Sequence, residues 1–173
     1  MKITIKEHGL VAQEAAQSIE RHIAKAIESK GMAHIILATG SSQLLFLKAL
    51  REKPIPWEKV IIFHLDEYIG LEENHLASFR HYLKENIIKY IRPKEFYPIN
   101  TDGKSLDETI GDYAQLLEKH PIDIACIGIG ENGHLAFNDP GVANFRDQKS
   151  VKMVELDEHC RRQQFDEGWF ESI

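Results

Sequence analysis

The feature that most limits how this chain can fold is a repeated unit: a short apolar run, a loop rich in glycine or polar groups, then helical apolar spacing. Residues 33–38 are apolar apart from His34 and lead into Thr39, Gly40, Ser41 and Ser42, after which Leu44, Leu45, Leu47 and Leu50 suggest a helix. The next round is a strand at 60–63, a loop holding Asp66 and Glu67, and a helical period over about 75–90. Pro93 and Pro98 mark a connection, 106–119 is an amphipathic helix, 122–127 an apolar strand, and 150–155 alternates as a strand does. Residues 1–6 also alternate and predict a strand, followed by a helix over 12–27 that Lys30 and Gly31 close. Short buried strands alternating with helices indicate an α/β fold with a mainly parallel sheet. With 173 residues, 43% of them hydrophobic, the chain can bury one core, and 1–173 is expected to form a single domain.

Composition removes several classes of function. The formal charge is −6, and no basic stripe is present that could neutralise a nucleic-acid backbone, so nucleic acid is not expected as a partner. An anionic metabolite is still admissible, because a few backbone N–H groups and one or two local cations outweigh an average surface field. Cys126 and Cys160 are the two cysteines; Cys126 lies in an apolar run, and no disulfide framework is implied. The N-terminus turns polar too early for a signal-peptide core, and no apolar stretch approaches the ~20 residues of a membrane span. A soluble, cytoplasmic protein without membrane association is the expectation.

In parallel sheets, ligands bind beyond the carboxyl ends of the strands. Three loops qualify. Thr39, Gly40, Ser41 and Ser42 sit between a strand and a helix start, where unpaired N–H groups favour a phosphate; an ordinary helix cap gives the same pattern. Asp66 and Glu67 follow a buried strand and are flanked by apolar residues that could desolvate a carboxylate into a competent base; a solvated loop is the plainer alternative. His64 and Asp66 suggest a metal only weakly, since no further ligands follow at suitable spacing, and no metal is expected. Residues 128–133 fit G-x-G-x-x-G, with Glu155 at the distance of a ribose-binding acid. That fingerprint must open a helix, whereas Pro140 and Gly141 follow too soon, so the dinucleotide reading is a decoy. What remains is a glycine-rich turn presenting His134 and, after Phe137 and Asn138, Asp139, a pairing suited to proton transfer, or a plain turn with a capping histidine.

Taken together, LATGSS, FHLDEYIGL and GIGENGHLAFNDPG resemble, in order, the three signature loops of glucosamine-6-phosphate deaminases. The resemblance runs from the first strand–helix pair to at least Gly141 and implies a Rossmann-like three-layer α/β/α fold of the sugar-phosphate isomerase/CoA-transferase type, shared with 6-phosphogluconolactonases. Asp66 matches the family base that moves a proton from C2 to C1. His134 matches the residue that opens the pyranose ring, with Asn132 and Asp139 where the family commonly has Asp and Glu as its supports. Thr39, Gly40, Ser41 and Ser42 match the phosphate loop, Lys152 resembles a phosphate-clamping cation, and Glu67 and Gly133 are implied at the substrate. The implied reaction converts glucosamine 6-phosphate to fructose 6-phosphate and ammonia without a cofactor. A galactosamine-6-phosphate enzyme, a 6-phosphogluconolactonase and a sugar-phosphate-binding regulator are the alternatives. Oligomers are common in the family, so a homo-oligomer is admitted. Family members continue for several more elements, so the resemblance implies that the C-terminal part of the family fold lies outside these 173 residues.

Overall fold

A computed structural model describes residues 3–130, 133–166 and 168–170. Four strands form one parallel sheet in the order β3-β2-β1-β4, where β1 is Ala33–Leu37, β2 Val60–His64, β3 Glu95–Tyr97 and β4 Ile124–Cys126. The helices are α1 (His8–Lys30), α2 (Leu44–Arg51), α3 (Phe79–Asn86), α4 (Leu106–Lys119) and α5 (Glu158–Asp166). No described helix is long and apolar enough to cross a membrane.

Every residue of β1 and β2 is buried. Successive side chains of a strand face opposite sides, so Ala33, Ile35 and Leu37 join Val60 and Ile62 in a core with α1, α2 and α3. Ile36, Ile61 and Phe63 point the other way, onto Tyr113 of α4. Helices on both faces make the chain three-layered, as expected. In α1, Ala12, Ala16 and Ile23 form one buried stripe at helical spacing, and Gly31, at φ 84°, ends the helix in the left-handed conformation a glycine tolerates. Ser105 and Glu108 cap the start of α4 reciprocally.

Two expected strands do not form. Residues 3–7 carry no regular structure, and Ile3 and Ile5 are 71% and 89% exposed, without a neighbouring strand to pair with; Met1 and Lys2 lie outside the described residues. The alternating segment 150–155 is irregular, and its Val151 packs into the cluster around Phe63 and Tyr113 on one sheet face. The helical period expected over about 75–90 is shortened to α3 and a 3-10 turn at Ile88–Tyr90. The proline-flanked connection contains β3, which pairs with β2 through Ile61, Ile62 and Phe63.

Candidate active site

Strand order reverses at β1: the chain proceeds outward through β2 and β3, then returns to lay β4 on the other side of β1. Such a switch point opens a crevice at the carboxyl ends of the strands. Here the loops after β1, β2 and β4 enclose a cavity of about 170 Å³ lined by Thr39, Gly40, Ser41, Ser42, Asp66 and His134, among others.

The loop after β1 turns at Gly40, whose φ of 106° few L side chains could adopt. Ser41–Gln43 form a 3-10 turn leading into α2. The Tyr82 hydroxyl of α3 donates to the Gly40 carbonyl at 2.7 Å, tying this loop to α3. The loops after β1 and β4 approach closely, since a Cβ on Gly128 would lie 3.4 Å from Gln43 Nε2.

The end of β2 is pinned by Tyr113, whose hydroxyl accepts from His64 N at 2.9 Å and donates to His64 O at 2.7 Å. Leu65 N extends the ladder to Leu37 O at 3.1 Å. Asp66 follows, half-buried and bordering this cavity and a second one of about 450 Å³. Burial of its carboxyl, with repulsion from Glu67 second, pushes its pKa up to about 7. His64 is fully buried, and burial, with the charge of Arg80 second, pulls it down to about 3, so its ring is neutral. Among the described residues, no three His, Cys, Asp or Glu side chains gather as a metal set would.

Glu67 does something other than face a ligand. Its side chain is fully buried, and it accepts from the backbone N–H groups of Tyr68, Phe79 and Arg80, from Ser78 Oγ, and from Arg80 Nε at 3.1 Å. A carboxylate at the first turn of α3 complements the helix dipole, and this one ties the Asp66 loop to that turn.

After β4 the chain makes a tight glycine turn rather than a helix. Gly130 N donates to His134 O, Gly133 N to Gly130 O, and Ile129 bridges Leu135. The His134 ring packs on the Gly130 backbone so closely that a Cβ there would sit 2.2 Å from Cε1, so any larger residue would displace the ring. His134 Nδ1 and Asp139 Oδ1 are 3.1 Å apart, and Asp139 is 2% exposed. Ala136 has φ 51°, a strained value at the mouth of the site, and next to it Phe137 stacks on Phe79.

The fold thus gathers Thr39, Gly40, Ser41, Ser42, Asp66 and His134, with Asp139 behind His134. Three of the residues singled out from the sequence lie elsewhere. Lys152 binds Asp147 Oδ2 at 2.8 Å and Val142 O at 3.1 Å and borders the second cavity, apart from the Gly40 loop. Gly133 is at the exposed tip of its turn, with φ 86°, and Glu67 is bound to α3. Asn132 lies outside the described residues. The sequence reading missed Cys160, Gln163 and Gln164 of α5 and Trp169 beyond it, all of which line the first cavity. Their i, i+3, i+4 spacing was the available signal, but the polarity of α5 hid it.

A family model described as glucosamine-6-phosphate isomerases/6-phosphogluconolactonase matches residues 6–161. Among curated proteins, the glucosamine-6-phosphate deaminase of Streptococcus uberis is 35% identical over 129 residues, which is 75% of this chain and 55% of that protein. The glucosamine-6-phosphate deaminase of Bacillus cytotoxicus is 29% identical over 154 residues, covering 89% of this chain and 59% of that one. The chain spans about half the length of the curated relatives it matches. A solved monomeric glucosamine-6-phosphate deaminase superposes with a TM-score of 0.85 at 26% identity, covering 99% of this chain and 71% of that structure. A 6-phosphogluconolactonase from Shewanella baltica superposes at 0.66 with 22% identity, over 76% of this chain and 57% of that one, a likeness of fold.

Proposed function

Since this chain belongs to the glucosamine-6-phosphate isomerase/6-phosphogluconolactonase family, we propose that it isomerises and deaminates an amino-sugar 6-phosphate. The observation that carries this reading is a carboxyl group raised to about 7, Asp66, bordering the same cavity as His134 and the Gly40 loop. A base with a pKa near neutrality combines a useful deprotonated fraction with real proton affinity.

The sugar's phosphate sits at Thr39, Gly40, Ser41 and Ser42, held by backbone N–H groups and hydroxyls. His134, oriented by Asp139, takes the proton of the anomeric hydroxyl and delivers it to the ring oxygen as the C1–O5 bond breaks, giving the open-chain aldehyde. Asp66 then removes the C2 proton and returns it to C1, while a proton passes from the amino nitrogen to the C1 oxygen, so that C1 becomes an alcohol and C2 an iminium. Water adds there and ammonia leaves, so one amino-sugar phosphate and one water give one ketose phosphate and one ammonia. Glu67 and Gly133 act by positioning the Asp66 loop and the His134 turn. A phosphorylated substrate of this kind suits a cytoplasmic protein.

The test is to supply glucosamine 6-phosphate and galactosamine 6-phosphate and to measure ammonia and ketose phosphate together. Release of both by the wild type, with a rate rising through about pH 7 as Asp66 deprotonates, and a loss of at least about 100-fold in Asp66→Asn, is expected. Full activity of Asp66→Asn would remove Asp66 as the base, and absence of either product from folded wild type would overturn the reaction.

A further inference from the structure

The groups around the first cavity sort by chemistry. The loop after β1 offers amides and hydroxyls suited to a phosphate, and Asp66 and His134 are committed to proton transfer in the function proposed above. Most of the remaining wall is apolar, including Leu65, Phe79 and Phe137. A sugar phosphate also carries several hydroxyl groups, and a hydroxyl buried without a hydrogen-bond partner is strongly unfavourable. Two further polar side chains meet that need: Gln163 and Gln164, both on the cavity wall.

Their placement comes from helix geometry. Cys160, Gln163 and Gln164 stand at i, i+3 and i+4, the spacing that puts side chains on one face, and all three border the cavity. A helix that turns a stripe inward ordinarily makes it apolar; this one carries two amides there. A neutral amide both donates and accepts, which matches a hydroxyl and leaves the phosphate to the Gly40 loop.

The helix is held in register with that loop. Asp157 Oδ1 accepts from Cys160 N at 2.7 Å at its start, and Trp169 N donates to Gln164 O at 3.0 Å at its end. The Trp169 ring packs on the main core and meets Tyr82 edge-on at 6.5 Å, and Tyr82 is the residue bonded to Gly40. Phe170 meets Tyr68 edge-on at 5.0 Å. Gln164 Nε2 lies 3.7 Å from Cys160 Sγ, a weak acceptor that an incoming hydroxyl can replace.

We propose that Gln163 and Gln164 are the specificity-determining residues of this site, hydrogen-bonding the hydroxyls of the bound sugar phosphate and discriminating between sugars that differ in hydroxyl configuration. The inference rests on the function proposed above. Because a site built to hydrogen-bond a hydroxyl rejects ligands that present it wrongly more strongly than an apolar wall can, the amides act on the choice among sugars while leaving phosphate affinity alone.

The experiment measures binding of glucosamine 6-phosphate, galactosamine 6-phosphate and inorganic phosphate by calorimetry, in the Asp66→Asn background so that no sugar is consumed. Gln163→Leu with Gln164→Leu is expected to weaken the preferred sugar phosphate at least about 10-fold, to bring the ratio between the two epimers close to one, and to leave inorganic phosphate unchanged. Gln164→Asn, which keeps polarity but shortens reach, is expected to reduce the same ratio with an unchanged thermal midpoint, separating recognition from folding. An unchanged epimer ratio in both variants, or an equal loss for inorganic phosphate, overturns the assignment while the proposed function stands. If neither sugar phosphate binds more tightly than inorganic phosphate before α5 is altered, the proposed function and this assignment fall together.

Discussion

A carboxyl group leaves water at the end of β2 because the strand delivers it into a wall of apolar side chains and sets Glu67 beside it. Asp66 holds its proton up to about pH 7, against an ordinary value of 3.8. Between those two values the folded chain keeps a proton that the unfolded chain has lost, so stability from this group falls as pH rises from about 4 to about 7 and stays reduced above that. Asp66→Asn abolishes the titration. Its thermal midpoint at pH 8 is expected to exceed that of the wild type by at least about 2–4 °C, the shift that ~1 kcal/mol produces in a chain of this size, and to match it near pH 4. Equal midpoints at pH 8 in thermal melts would mean that the carboxylate is well solvated. Asp66 could be picked out by type and position because it follows a buried strand between apolar neighbours. The opposite role of Glu67 could not, since adjacent residues of one loop look alike until the backbone turns one toward the cavity and the other into α3.

At the scale of elements, the pair Glu67 and Arg80 joins the Asp66 loop to α3. Arg80 is fully buried, and beyond Glu67 it donates to Asn100 Oδ1 at 2.8 Å, Asp102 Oδ2 at 3.1 Å and Leu71 O at 2.7 Å. Removing one partner of a buried pair strands the other charge, so Arg80→Met is expected to destabilise the chain by about 3–5 kcal/mol in urea unfolding. Arg80→Met with Glu67→Leu is expected to recover part of that loss, because the orphaned carboxylate is gone. A single variant that unfolds like wild type would show the pair to be dispensable. Elements with strong local signals were legible from sequence: α4 appears at its expected bounds because Ser105, Glu108 and a regular apolar stripe all agree. Elements made by tertiary pairing were not. β3 is three residues long and exists through its ladder to β2, and α5 shows the 3.6-residue period in three residues that touch a cavity rather than a core.

For the whole molecule, the sheet ends at β4, which pairs with β1 on one side and with no other strand among the described residues. Ile127, Ile129 and Leu135 follow that strand, and all are exposed, Ile129 at 75%. An apolar rim beside unpaired strand groups promotes association. This 173-residue chain is therefore expected to self-associate as its concentration rises in sedimentation velocity, and Ile129→Lys to shift it toward the monomer. A monomer at every concentration would show that the rim is inert in water.

The sequence by itself determined that the fold is α/β with a parallel sheet, because strands buried on both faces must be apolar throughout while their loops are free to be polar. It also singled out three loops whose residue types exceed what a turn requires, and residues of all three line the first cavity. Only the tertiary structure decided which of those residues meet. The reversal of strand order at β1 brings Asp66, His134 and the Gly40 loop around one cavity, sends Lys152 to another and folds α5 over the first. Those distances depend on how β4 and the segment beyond it cross the sheet, and no local run of residues encodes that path.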